Sequence, residues 1–497
     1  MLLAEPLIFE RSSPGRRGWP VPTEEGAEHV DPLPPELARG DLEGFPELSE
    51  PDVVRHFTRL SQWNFCAATT LYPLGSCTMK YNPLLGEEMA RLAGFASLHP
   101  LAPSSWAQGA MRVCAELARA LAEISGMEAI SLQPAAGAQG ELTGMLMIRA
   151  YHKDRGGPRS KVLIPASAHG TNPASSALCG YEVVEAPVSR QGLLEARTVR
   201  GLMDQSVAAL MVTNPNTFGS FEEEIVEVAE AVHAGGGLVY MDGANLNALM
   251  GVAKPGSMGV DVIQFNMHKT FSTPHGGGGP GAGPVGVRGD LATYLPVPRL
   301  LEIDGRLDWS EDCPQSVGQL RSFFASFGVL VRAYSYILSM GGTGLAWATR
   351  MAVLNANYLR ARLSKTYELA LPTPSLHECV FSDRRLAPTG VRTLDVAKRL
   401  LDYGFYAPTI YFPLVVSGAL MIEPTETESR ETLDAFADAL IAIAHEAQRD
   451  PQRVKDAPHS TKVSRLDETR AARHPELTWR PPAGRGATMP EAVTKGG

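Results

Sequence analysis

Lys269 and Asp242 are the two residues of this sequence whose types and placement point most directly to chemistry. Lys269 follows the apolar run VDVIQFNM almost without a break, and Asp242 closes the run GGLVYMD shortly before it. If both runs are strands of one sheet, an amine and a carboxylate stand at neighbouring strand ends. Pyridoxal phosphate requires that combination: a lysine forms a Schiff base with its aldehyde, and an acid pairs with its protonated ring nitrogen. A lone lysine is ordinarily a solvated side chain, and Asp242 alone reads equally as an N-cap for the GANLN segment. Only the cofactor accounts for the pair.

Three further stretches supply what such a cofactor needs. In SLQPAAGAQGELTGM, small residues lead into a helical spacing of Leu142, Met145 and Leu146. A helix N-terminus presents free backbone N–H groups and the positive end of a dipole to a phosphate. Ala136, Gly137, Ala138 and Gln139 are therefore a candidate phosphate cradle, a tight structural turn being the competing reading. His169, in SAHGTNPAS just beyond the run KVLIPA, is set either to stack on a flat ring or to cap a loop. Thr213 and Asn214 in TNPN end another run, where they can hydrogen-bond the cofactor's phenolic oxygen or form an ordinary Asn-Pro turn.

The glycine-rich run after Lys269, HGGGGPGAGPVGV, fits GxGxxG from Gly276 and again from Gly281. A dinucleotide site needs a helix opening inside that motif, whereas Pro280 and Pro284 forbid one and VGV reads as a further strand. The glycines suit backbone that passes close to a cofactor or to a neighbouring chain. The sequence has no Gly-Lys dipeptide, which excludes a P-loop, and no HExxH or clustered Cys and His to suggest zinc.

The elements that must position these residues follow from the apolar runs. KVLIPA (161–166), VAALMV (207–212), GGLVYMD (236–242) and VDVIQFNM (260–267) read as buried strands alternating with helix-sized segments, which predicts an α/β domain with a mostly parallel sheet. In such sheets ligands bind beyond the carboxyl ends of the strands, where the residues above fall. Past a helical stretch at about 316–365, the order helix, strand, strand, helix predicts a small C-terminal α+β domain, with Leu433, Phe436, Leu440 and Ile443 on one face of its last helix. The expected organisation is an extended N-terminal arm over 1–60, a large α/β domain over 61–345, the small domain over 346–449 and an extended tail over 450–497.

Composition narrows the function classes. A chain of 497 residues buries a large core in two or three domains. Its 45 Lys and Arg against 54 Asp and Glu, without long single-sign runs, leave no footprint for nucleic acid. Six scattered cysteines with no CxxC read as reduced thiols, no secretory segment opens the sequence, and no apolar run is long enough to span a membrane. The expectation is a soluble cytoplasmic protein.

Taken together, LYPLGSCTMKYNP, LQPAAGAQGE, SAHGTNPAS, MDGANLNA and QFNMHKTFSTPHGGGGPGAGPVGV resemble the glycine decarboxylase P-protein family of the glycine cleavage system. More narrowly, they resemble the second subunit of its two-chain bacterial form, over about residues 65 to 445. The resemblance implies a fold-type I pyridoxal-phosphate enzyme, aspartate aminotransferase-like, with Lys269 as Schiff-base lysine, Asp242 on the pyridine nitrogen and His169 on the ring. It adds Ala244, Asn266 and His268 to the cofactor-binding set. It further implies decarboxylation of glycine with release of CO2 and transfer of the aminomethyl group to the lipoyl arm of the H-protein, whose disulfide is reduced. A separate first subunit is implied as well, in a hetero-oligomer expected to be a dimer of heterodimers.

Two rival readings remain at this point. An aminotransferase or cysteine desulfurase would share the fold, with Arg392 in the small domain available for a substrate carboxylate. A non-enzymatic partner chain with a decayed site would have no reason to keep both Asp242 and Lys269.

Overall fold

Buried apolar residues on both faces of consecutive strands build a central sheet of seven. In the computed structural model, which describes residues 5–18, 34–38, 44–157, 159–275 and 281–480, the strands are β1 (Ala129–Ser131), β2 (Lys161–Pro165), β3 (Glu182–Ala186), β4 (Val207–Thr213), β5 (Leu238–Gly243), β6 (Val262–Phe265) and β7 (Val285–Val287). Their order is β1-β7-β6-β5-β4-β2-β3. The run from β3 to β6 is parallel, and β7 is antiparallel to both β6 and β1. Every residue of β4, β5 and β6 is buried, as expected of strands covered by helices on both sides. Alternate residues divide between two cores: Leu210, Val212, Val239, Met241 and Ile263 lie in one, and Ala209, Met211, Leu238, Tyr240 and Val262 in the other.

A hairpin of β8 (Arg299–Ile303) and β9 (Arg306–Ser310) precedes the long helix Phe327–Leu363. That helix kinks at Gly341, whose φ of 59° and ψ of 176° are open only to glycine. Its first half packs Val329, Leu330, Ala333 and Ile337 into the core of the large sheet, and its second half sends Leu359 and Leu363 into another core. The second core lies under a four-stranded antiparallel sheet, ordered β10-β11-β13-β12, of β10 (Glu368–Leu369), β11 (Cys379–Ser382), β12 (Thr409–Ile410) and β13 (Ala419–Ile422). Helices Thr393–Asp402 and Arg430–Arg449 cover it, with Leu433, Phe436, Leu440 and Ile443 all buried.

By contact, the described residues fall into two units, one within Cys66–His459 and one combining those of Met1–Phe65 and Ser460–Gly497. In the second unit, helix Glu50–Ser61 starts at Ser49, whose hydroxyl donates to Asp52 at 2.6 Å. Glu5 accepts two bonds from the Arg59 guanidinium, at 2.6 and 2.9 Å, and also contacts His56 and Arg11. The Arg59 hydrogen bonds hold its carboxyl down to about 2. Phe9 stacks on Trp479 with ring centroids 5.3 Å apart. Composition alone portrays these terminal segments as two separate extended arms; pairings between residues so distant in sequence leave no local pattern. Among the described residues no helix is long and apolar enough to cross a membrane.

Candidate cofactor site

Register across three parallel strands sets the floor of the site. Thr213 of β4 is the partner of Asp242 in β5, and Asp242 is the partner of Gln264 in β6. Residues in register on neighbouring strands project to one face, so these three side chains stand in a row at the carboxyl end of the sheet. Asp242, 3% exposed, accepts on Oδ1 from the Ala244 N–H (2.9 Å) and Gln264 Nε2 (2.5 Å), and on Oδ2 from Asn172 Nδ2 (3.0 Å). Behind it, Glu141 accepts from Thr171 Oγ1, Asn172 Nδ2 and Ser175 Oγ at 3.0 to 3.3 Å. Burial, reinforced by the Asp242 carboxylate, pushes Glu141 up to about 7.

The helix Gly137–Asp154 lies on this row because its facing residues are small. A methyl group on Gly137 would overlap Asn266 Oδ1, and one on Gly144 would overlap the Tyr240 ring. Added at Gly140, it would sit 2.6 Å from the Gly283 carbonyl. The helix thus brings its N-terminal N–H groups against the strand ends, where they have no intrahelical partners. Gly281 and Gly283 continue the close approach: a methyl on the first would lie 2.5 Å from His268 Nδ1, and one on the second would overlap the Ala136 carbonyl. The glycines described in the run after Lys269 therefore let backbone pass the candidate cradle within this chain, while residues 276–280, where the first GxGxxG begins, lie outside the described residues.

Lys269 sits in the one-turn helix Met267–Thr270 that follows β6, and its Nζ donates to the Ser76 carbonyl at 3.1 Å. Together these elements enclose a cavity of about 170 Å³ lined by residues including Gly137, Ala138, His169, Thr213, Asp242, Ala244, Asn266, His268 and Lys269. His169, at the exposed edge, receives the Thr171 N–H on Nδ1 at 3.2 Å and meets Phe412 edge-on at 5.5 Å. Burial and the Lys269 charge depress it, and the same kind of environment takes His268 down to about 3 and His275 to about 4. The imidazoles are neutral, and the positive charge of the cavity resides in Lys269 and the helix N-terminus.

Two side chains of the candidate set point elsewhere. Gln139 accepts the Ala135 N–H and donates to the Leu320 carbonyl, bracing the turn before the helix. Asn214 accepts the Glu222 N–H at 3.0 Å and is not part of the cavity lining. Ala136 supplies the helix N-cap. The site also contains residues that local sequence reading does not single out. Glu141 and Gln264 lie on the helix and strand faces that frame Asp242, whereas Ser76, within LYPLGSCTMKYNP, comes 193 residues before the lysine it meets.

The cavity suits pyridoxal phosphate on its own polar groups. Among the described residues the buried Thr213 Oγ1 and His268 Nδ1 have no hydrogen-bond partner, so two lining atoms await one. Arg392, the candidate for a substrate carboxylate in the rival reading, is exposed, sits at the N-cap of helix Thr393–Asp402 and is not part of the lining.

The chain's relatives are consistent in name. The family model described as glycine cleavage system P-protein matches residues 32–303, and that of the glycine dehydrogenase C-terminal domain matches 348–465. A probable glycine dehydrogenase (decarboxylating) subunit 2 of Caldanaerobacter subterraneus subsp. tengcongensis is 54% identical over 95% of this chain and 98% of its own length. The protein of the same name from Chlorobium chlorochromatii is 53% identical over the same shares. Among solved structures, an inhibitor-bound glycine decarboxylase (P-protein) of the glycine cleavage system superposes with a TM-score of 0.71 at 21% identity, over 82% of this chain and 93% of that one. A NifS-like protein follows the same fold with a TM-score of 0.59 at 16% identity, over 76% of this chain and 100% of that one.

Proposed function

The chain belongs to the glycine cleavage system P-protein family, and we propose that it is the subunit whose own residues make up the pyridoxal-phosphate centre of that enzyme. Its activity is that of glycine dehydrogenase (decarboxylating), the decarboxylation of glycine, and its cofactor is pyridoxal 5'-phosphate. When bound, that group supplies an electron sink for the pair left behind as CO2 departs.

In this reading Lys269 would hold the cofactor through its aldehyde carbon, and the Ser76 carbonyl positions the lysine amine. Asp242 keeps a proton on the pyridine nitrogen. Asn172, Gln264 and the Ala244 N–H fix the carboxylate that does so, which fits an arrangement set before substrate arrives. The N–H groups of Gly137, Ala138 and Gln139 bind the phosphate, aided by Asn266 and His268. Thr213 offers its free hydroxyl to the phenolic oxygen, and His169 covers the ring. Asn214 acts one step away, by bracing the loop after β4.

The observation that carries this reading is that Asp242, Lys269 and the N-terminus of helix Gly137–Asp154 open on one cavity. The subunit works in the cytoplasm with a first subunit, as a dimer of heterodimers, and delivers the aminomethyl group to the lipoyl arm of the H-protein. The purified chain is expected to bind pyridoxal phosphate yet to exchange the glycine carboxyl carbon with CO2 only weakly until the first subunit is added. Net turnover then requires lipoylated H-protein. Exchange by a partner-free chain as fast as by the reconstituted pair would refute the need for the first subunit.

A further inference from the structure

Behind the Ser76 carbonyl that receives Lys269 lies a group of buried titratable side chains. Ser76 has φ of 62°, a left-handed conformation that a serine adopts only when its surroundings impose it. Its N–H donates to Glu378 Oε2 at 2.7 Å. Two residues on, Thr78 Oγ1 donates to Glu423 Oε1 at 2.5 Å. Glu378 immediately precedes β11 and Glu423 immediately follows β13, and the register Cys379↔Ile422 sets the two carboxyls beside each other. With His377 they form a group whose ligand atoms lie within 4.8 Å of one another. All three residues are fully buried, and among the described residues Glu378 Oε1, Glu423 Oε2 and both His377 ring nitrogens have no hydrogen-bond partner.

Two carboxylates this close and this dry cannot both carry charge. The hydrogen bonds assign the states. A backbone N–H, which can only donate, favours an ionised acceptor and falls to Glu378; a hydroxyl, which serves either form, falls to Glu423. The other charges facing the pair are Lys269 toward both acids and Glu426 toward Glu423, the latter already paired with Lys80 at 2.7 Å. The thiols of Cys77 and Cys379 also adjoin it and are pushed up by burial, so they remain neutral. Burial, reinforced by the Glu378 charge, raises Glu423 well above the usual carboxylate range, whereas at Glu378 the Ser76 N–H and the Lys269 charge oppose the effect of burial.

We propose that Glu378 and Glu423 are positioning residues for Lys269. Glu423 holds a proton, and ionised Glu378 clamps Ser76 so that its carbonyl meets the lysine amine and the carboxylate charge lies behind that carbonyl. The inference rests on Lys269 being the cofactor lysine. The same three side chains resemble a cation site, but the Lys269 charge next to them and their complete burial favour a proton over a metal.

The test uses the visible absorption band of the holoprotein, whose pH midpoint follows the proton on the cofactor-linked nitrogen. Glu378→Gln keeps an acceptor for Ser76 but removes the charge, and is expected to lower that midpoint by about 0.5–1 unit. Glu423→Gln leaves Glu378 ionised and is expected to leave the midpoint within about 0.2 unit. An unmoved midpoint in folded Glu378→Gln, or equal shifts in the two variants, would overturn the proposal. Should Glu378→Gln not fold, infrared spectra of the wild-type protein decide: one neutral carboxyl is expected to persist at about pH 9, and its absence would overturn the assignment. One tightly held equivalent of divalent metal per chain, lost in His377→Ala, would overturn it too. Borohydride labelling of a lysine other than Lys269 would instead refute the reading beneath it.

Discussion

Asp242 and Lys269 are legible in the sequence because each closes an apolar run, and two such runs in a parallel sheet bring their ends together. What makes Asp242 useful is less visible. Asn172 and Gln264 hold its two oxygens, and the proton that Glu141 retains near neutrality spares the site a second buried charge. Those contacts depend on strand register and on a helix crossing, neither of which is encoded by a local motif. Asp242→Asn preserves shape and removes charge. It is expected to keep the fold and some cofactor, seen by its absorbance, while glycine-dependent CO2 exchange of the reconstituted enzyme falls at least ~100-fold. Exchange close to the wild-type rate would reduce Asp242 to a cap for the segment after β5.

At the scale of elements, the four apolar runs from residue 161 to 267 predict β2, β4, β5 and β6, and the parallel sheet follows. The three-residue β1 and the largely exposed β3 carry no comparable periodicity, since edge and short strands need little apolar sequence. The glycines of helix Gly137–Asp154 are uninformative as propensity, because glycine weakens a helix; their meaning appears only when the sheet is seen against them. The glycines after Lys269 act likewise. Gly283→Ala would force a methyl into the Ala136 carbonyl. It is expected to destabilise the chain by about 1–3 kcal/mol and to weaken pyridoxal-phosphate binding measured by fluorescence titration. Gly201→Ala, where a methyl meets nothing within 4 Å, is the control and is expected to retain normal binding. Equal cofactor affinity in the two variants would show that the approach of the strand to the cradle does not matter.

For the whole molecule, buried ionisable groups set the pH range of stability. Glu222 is buried between Asn216 Nδ2 (2.8 Å) and the Leu194 N–H (2.7 Å), and burial still raises it from 4.5 to about 7. The folded state therefore binds the extra proton: this contribution is complete below about 4.5 and is lost as pH rises through about 7. Glu141 acts in the same sense. On the acid side, His377 and His268, held down to about 3, lend stability that is complete above 6.5 and lost as pH falls through about 3. Glu222→Gln should remove on the order of 3 kcal/mol of the alkaline loss, so that Tm measured at a fixed scan rate declines less between about pH 5 and 8. A decline as steep as in the wild type would place the proton elsewhere. The central claim is that this one chain, without a partner, carries the cofactor lysine. Its most direct test is borohydride reduction of the isolated chain with pyridoxal phosphate, followed by peptide mapping. One label per chain on Lys269 is the result predicted; label on another lysine, or none until a second subunit is supplied, would contradict it.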